Sequence, residues 1–206
     1  MNATNCLFKS LKEISVNIFI GLPSYIIKES EETVNRLPAI NLKDLASGRV
    51  AVEGLSAISV PAGHNLERFR VAAGDVLVSA RGTKFKAALA GPEVSGAIVS
   101  ANLINIRPGK ELYPVFLAAY LTSTAGERQV LARAKATTSG QLLLNVSDIE
   151  ALEIPLPPYE VQKKIGDLWQ ELRGQQRRYN EAAELCAQIS SQLISDMICN
   201  PTKEGN

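Results

Sequence analysis

Histidine is almost missing from this 206-residue chain: His64 is the single one, and the three cysteines, Cys6, Cys186 and Cys199, stand at spacings that match no zinc or redox motif. No His-pair metal site and no mixed Cys-His cluster can be built within one copy. An odd number of scattered cysteines fits reduced thiols rather than a disulfide framework, and His64, in Pro61-Ala62-Gly63-His64, reads as a loop residue. No apolar run reaches the roughly eighteen residues that span a bilayer, and the N-terminus lacks the pattern of a signal peptide, so no membrane contact and a cytoplasmic location are expected. The glycines of residues 47–54 (SGRVAVEG) lack the Gly-Lys-Ser/Thr ending of a phosphate-binding loop and do not form a dinucleotide fingerprint; a Gly-x-Ser-x-Gly elbow is also missing. An adenine methyltransferase would bring an Asn/Asp-Pro-Pro-aromatic loop. The one approach to it, Pro157-Pro158-Tyr159, is preceded by Leu156. With no recognisable nucleophile or metal cluster, the expectation is a chain that is not an enzyme and carries no cofactor.

What the chain does have is a rod. Hydrophobic content of 46% with 21% charged residues suffices for one medium domain plus an appendage. After Pro155, Pro157 and Pro158, about forty residues follow without a proline, so the cluster reads as a stop followed by a helix start, with Tyr159 just inside. Counting sevens gives Ile165, Leu172, Tyr179, Cys186 and Leu193, with Leu168, Gln175, Ala182, Ile189 and Asp196 three residues after each. That is a coiled-coil seam with polar interruptions. Gly166 and Gly174 each cost about 1 kcal/mol in a helix interior, and Gln175 and Asp196 sit where leucine is usual. A helix from Tyr159 to Cys199 is about 60 Å long, and this length favours a partner helix over folding back on its own domain.

Upstream, the pattern predicts a mixed α/β domain. Residues 7–16 read as a strand or helical turn that begins it. Glu29, Glu31 and Glu32 form a solvated face; Pro38 breaks the chain before a strand at Ala39–Leu42, and Ser47-Gly48 makes a tight connection in the turn from Lys43 to Arg49. Gly74-Asp75 turns into a short buried strand, Val76 to Val78, and Arg81-Gly82-Thr83 turns again. Another buried strand is predicted from Ala97 to Ile106, then a turn at Pro108-Gly109, a helix from Tyr113 to Ser123 and a break at Ser123–Gly126.

Charge is unevenly placed although the total is only +1. Residues 1–66 balance to 0, residues 67–140 to +5 and residues 141–206 to −4. A positive middle is what a polyanion site needs, because lysine and arginine gain affinity by releasing counterions from phosphate. Two stretches concentrate it. Arg81, Thr83, Lys84 and Lys86 surround one turn, where cations and main-chain N–H groups can meet phosphates; edge-strand lysines that oppose aggregation would look the same. Arg133 and Lys135 lead into Thr137, Thr138, Ser139 and Gln141, within a segment from Arg128 to Asn145 that has no acidic residue. Those short polar side chains can reach phosphates or base edges; the residues alone favour a helix C-terminus with cations complementing its dipole, then a polar loop.

Residues 74–83 (GDVLVSARGT), 95–109 (SGAIVSANLINIRPG) and 139–168 (SGQLLLNVSDIEALEIPLPPYEVQKKIGDL) together resemble the target-recognition domain of Type I restriction-modification specificity subunits, with its spacer helix. The order is the specific part: a Gly-Gln loop, an Ile-Pro-Leu-Pro-Pro strand end, then Glu160-x-Gln162-x-x-Ile165 entering the long helix. The resemblance implies a DNA-specificity subunit that reads half of a bipartite double-stranded DNA target, while separate methyltransferase and restriction subunits carry methylation and cleavage. It implies a recognition domain over 1–157, a spacer and dimerisation helix over 158–199 and a tail over 200–206. One recognition domain and one helix stand where a complete subunit has two of each. Two copies with antiparallel helices would restore the pair, with a two-fold axis near Tyr179 and small Ala182 and Ala183 allowing close approach, and would read a split inverted repeat. Pairing with a second, different specificity chain is the competing arrangement. On this reading the DNA contacts are Arg81, Thr83, Lys84, Lys86, Arg133, Lys135, Thr137, Thr138, Ser139 and Gln141; the dimer contacts are Ile165, Leu168, Leu172, Tyr179, Ala182, Cys186, Ile189 and Leu193. A chain that assembles with restriction-modification subunits through its helix without reading DNA is the alternative.

Overall fold

The computed structural model describes residues 7–26, 34–61, 65–137 and 140–199. Cys6, Glu29, Glu31, Glu32, His64, Thr138, Ser139 and the tail from 200 lie outside them. The architecture is mixed α/β with a long C-terminal helix, as expected, and it forms two compact units, Met1–Leu168 and Trp169–Asn206.

The first unit opens with β1 (Leu7–Ser10), a single-turn helix α1 (Leu11–Ile14), β2 (Ser15–Ile20) and β3 (Val34–Ile40). Short strands β4 (Leu45–Ala46) and β5 (Arg49–Val50) precede β6 (Ser56–Pro61), β7 (Val76–Ser79), β8 (Arg81–Gly82), β9 (Ala87–Leu89), β10 (Ile98–Val99) and β11 (Leu103–Pro108). Then come α2 (Pro114–Leu121), α3 (Thr124–Leu131), β12 (Lys135–Ala136), β13 (Leu142–Leu143), α4 (Val146–Glu150), β14 (Glu153–Leu156) and α5 (Tyr159–Cys199), whose later part is the second unit. A six-stranded sheet, order β2-β11-β7-β9-β5-β4, is antiparallel except where β5 runs parallel to β9. Val76, Leu77 and Val78 are all fully buried, so β7 is a continuous apolar run rather than an alternating one. A second sheet, β10-β3-β6, packs Ala39, Val60 and Ile98 into a core with Leu22, Leu66 and Phe69. Strand β1 pairs with β14, Leu7 opposite Leu156, so the start of the described chain meets the end of the domain.

Three elements differ from the sequence pattern. Pro38 lies inside β3, which ends at Ile40, instead of breaking the chain before a strand at Ala39–Leu42. Ile40 presents its carbonyl to the β10 side, where the Ser100 amide donates to it, so the Pro38 nitrogen faces the same side; β10 reaches only Ala39 and Ile40, and no ladder bond is lost. The run from Ala97 to Ile106 is two strands in different sheets, divided by a turn in which the Leu103 amide donates to the Ser100 carbonyl. The break at Ser123–Gly126 is a direct helix junction: Ser123 caps α3 by accepting from the Gly126 N–H, and a Cβ at Gly126 would strike the Tyr120 carbonyl.

One buried carboxylate ties the sheet together. Asp75, 1% exposed at the start of β7, accepts hydrogen bonds from the Ala72 N–H (2.8 Å), Asn105 Nδ2 (2.9 Å) and Arg107 Nε and Nη2 (2.9 and 2.8 Å). The hydrogen bond to Asp75 raises the Arg107 pKa above its ordinary value, with desolvation acting against it, so the guanidinium stays charged.

The base of α5 belongs to the first unit. Gln162, 1% exposed, accepts from the Tyr113 N–H (2.8 Å) through Oε1 and donates through Nε2 to the carbonyls of Glu111 and Pro157 (both 3.0 Å). One turn on, a Cβ at Gly166 would lie 2.9 Å from the Tyr113 ring and 3.1 Å from the Phe116 nitrogen. The glycine that weakens the helix is what lets it approach α2. Tyr113 also packs edge-on against Tyr159 and donates to Asp167 (3.1 Å); burial first, then Asp167, pushes its pKa up.

Arg107→Met strips the buried Asp75 of its counter-ion and should cost about 3–5 kcal/mol in urea unfolding. A loss below about 1 kcal/mol would place the pair with exposed ion pairs instead. Gln162→Leu leaves three main-chain groups unpaired and should lower stability by about 2–4 kcal/mol, with amide exchange rising at Tyr113; unchanged protection there would show that the amide is dispensable.

Candidate nucleic-acid interface

The two basic stretches of the sequence meet in one place. Strands β12, β13 and β8 form a small antiparallel sheet in that order, with Lys135 opposite Leu143, Ala136 opposite Leu142, Leu142 opposite Gly82 and Leu143 opposite Arg81. Where a turn was expected at Arg81-Gly82-Thr83, Arg81 and Gly82 are therefore strand, and the polar loop after Arg133 is a hairpin. Its closure is local: the Thr137 N–H donates to the Gln141 carbonyl (2.9 Å), the Gly140 N–H to the Thr137 carbonyl (2.9 Å), and the Gln141 N–H to Thr137 Oγ1 (3.0 Å). Gly140 has φ 75° with open space around it, a left-handed position that glycine takes without strain. The sheet joins the main body where the Leu144 N–H donates to the Ala80 carbonyl (2.8 Å).

The expected contact residues are not alike in this setting. Arg81, Thr83, Lys84, Lys135 and Gln141 are exposed, and among the described residues the side chains of Arg81, Lys84 and Lys135 make no ion pair or hydrogen bond. Lys86 is exposed but rests its ammonium on the Leu42 carbonyl (3.3 Å). Arg133 is partly buried and donates to the carbonyls of Gln129 (3.4 Å) and Ala151 (2.9 Å), which joins the end of α3 to the end of α4. That is the helix-terminus role open from the sequence. Thr137 Oγ1 closes the hairpin, and Thr138 and Ser139 lie outside the described residues. Among the described residues no group of three or more His, Cys, Asp or Glu side chains could hold a metal ion, and no helix is long and apolar enough to cross a membrane.

On α5, every seam side chain expected from the sevens is exposed: Ile165, Leu168, Leu172, Tyr179, Ala182, Cys186, Ile189 and Leu193. Leu168 is 57% and Tyr179 72% exposed. Leu185, Ile194 and Met197 are exposed as well and widen the apolar stripe toward the C-terminus. A strict count of sevens passes over them; a 3.6-residue period would have found Ile194 and Met197.

Comparison with known proteins assigns the class. Residues 24–181, more than half of the chain, match the Type I restriction modification DNA specificity domain, and the chain belongs to that family. Its fold is similar to that of a chain in a structure concerned with complex assembly and conformational transition of the type I restriction-modification system: TM-score 0.64 at 21% identity, over 96% of this chain and 46% of that one. The HsdS subunit of Thermoanaerobacter tengcongensis gives a TM-score of 0.55 at 19% identity, over 88% of this chain and 40% of that one. The type IIG restriction endonuclease BpuSI gives 0.58 at 12%, over 82% and 27%. This chain thus spans less than half the length of each of these three solved chains. No curated protein sequence matches it.

Proposed function

We propose that the chain acts as a non-enzymatic DNA-specificity subunit of a Type I restriction-modification system in the cytoplasm. Residues 1–157 read one half of a bipartite duplex target; residues 158–199 set the spacing and dimerise; residues 200–206 are a tail. Methylation and cleavage, with the cofactors they need, belong to methyltransferase and restriction subunits docked on the assembly. The observation that carries the DNA reading is the small sheet, which brings Arg81 and Lys135 together across Leu143, with Lys84 in the bend just after β8; among the described residues none of the three has an acidic partner. Unpaired cations position a duplex by its phosphates, and the exposed Gln141 and Thr83 are of the type that reads base edges.

A second copy supplies the partner for the exposed α5 seam. Setting two α5 seams antiparallel so that each sevens position meets the partner's intervening position pairs Leu168 with Leu193, Leu172 with Ile189 and Tyr179 with Ala182 of the second copy. The register places the two-fold axis between Asn180 and Glu181, beside Tyr179. Large meets small at the centre and leucine meets aliphatic on both sides. The polar positions Gln175 and Asp196 fall opposite Cys186 and Ile165, one inside the seam and one at its end. The two recognition domains then read a split inverted repeat.

Light scattering of the purified protein should give twice the 22.2 kDa chain mass, and Tyr179→Glu should return the monomer; a wild-type monomer at every concentration would remove the homodimer. Arg81→Glu and Lys84→Glu should each weaken duplex binding about tenfold and lower the slope of log affinity against log salt by about 1, without changing the dimer. No duplex binding by the parent protein, with intact assembly, would instead support the helix-only interaction reading.

A further inference from the structure

We infer that the turn Leu42–Asp44 is a third limb of the DNA surface and that Lys43 is a phosphate-contacting residue; this rests on the DNA reading proposed above. Nothing in the local sequence marks it, since Lys43 stands next to Asp44 in a segment of zero net charge. Three contacts bring it to the basic sheet. Lys86 Nζ lies 3.3 Å from the Leu42 carbonyl, so a second ammonium is held one peptide bond from Lys43. The Leu42 side chain rests on Gly82 in β8, where a Cβ would come within 3.0 Å of Leu42 Cδ2. Gly82 in turn pairs with Leu142 of β13, next to the pair formed by Arg81 and Leu143. Residues 42–43, 81–86, 135–137 and 140–143 therefore converge on one small sheet.

The neighbouring acid does not cancel the charge. Asp44 is 5% exposed, and its Oδ2 accepts the Asn41 N–H at 2.8 Å, while the Asp44 N–H donates to the Asn41 carbonyl at 3.0 Å. This reciprocal pair turns the carboxylate inward and stiffens the turn, and the Asp44 carbonyl takes the Ala51 N–H at 2.8 Å. Lys43 is left exposed, and among the described residues its ammonium has no ion pair or hydrogen bond. A cation without a partner, on a braced turn beside Lys86 and Arg81, suits a backbone phosphate as a point charge.

The test titrates end-labelled 30-base-pair duplex DNA of mixed sequence with the full chain over a salt series, comparing Lys43→Glu, Lys43→Gln, Lys84→Glu and Lys110→Glu. Lys110, exposed in the connection after β11, is the control for net charge. Lys43→Glu should weaken binding about tenfold, and Lys43→Gln less, with the salt slope reduced by about 1 in both; Lys110→Glu should stay within about twofold. If Lys84→Glu weakens binding while both Lys43 variants match the parent, the inference fails and the DNA reading stands. If only Lys43→Glu acts, the effect is repulsion without a contact, and the inference also fails. If neither Lys84→Glu nor Lys43→Glu matters, the DNA reading falls and takes the inference with it.

Discussion

A single buried amide decides what the long helix can do. Gln162 uses its oxygen for the Tyr113 N–H and its nitrogen for two carbonyls, one from the loop before α2 and one from the strand exit at Pro157. A helix docked only by apolar contacts could rotate or slide, because such contacts are non-directional. Three hydrogen bonds to fixed main-chain groups allow one rotation. Gly166, one turn later, lets the helix lie against Tyr113 and Phe116 with no side chain between. Ile165 on the flank of this root and Leu168 further round are exposed, so fixing the root also fixes which way the first turns of the seam look.

The small basic sheet follows a similar logic of small pieces held from behind. Each strand of the basic sheet is two residues long, too short to persist alone. It is held by β8 continuing from buried β7, by Leu144 bonding to Ala80, and by Arg133 bracing two helix ends. Arg133 illustrates how a basic residue in a basic stretch can serve architecture, while Arg81 and Lys135 beside it stay free. The Asp75–Arg107 pair plays the same part deeper in, consuming one positive charge of the central segment inside the fold.

Much of the scaffold was legible because it rests on strong local signals. Pro157-Pro158 before an unbroken helical stretch placed the start at Tyr159, and Val76-Leu77-Val78 after Gly74-Asp75 placed the central strand. Ser47-Gly48 appears as a hairpin turn with φ 48° and 81°. What escaped depends on partners distant in sequence. Two-residue strands have no period to detect, so β8, β12 and β13 read as loop. Pro38 is tolerated only because β10 stops short of it, which no window around Pro38 can reveal. Gly166 looked like a fault in a seam, since its reason is a ring fifty residues upstream. At the interface, composition picked out the two basic stretches but could not sort Arg133 from Arg81, because that difference lies in which carbonyls are near.

The pairing of β1 with β14 gives the domain a further property. The chain enters through Leu7 and leaves through Leu156 as neighbours on the same two-stranded sheet, reinforced by the Leu11 N–H bonding to the Leu152 carbonyl. A domain whose entrance and exit coincide is a plug-in cassette. It can be transplanted, duplicated in tandem or reopened elsewhere in its loops while the core between the two strands stays undisturbed. Exchange of the segment between these two strands would leave α5, which starts at Tyr159, in place.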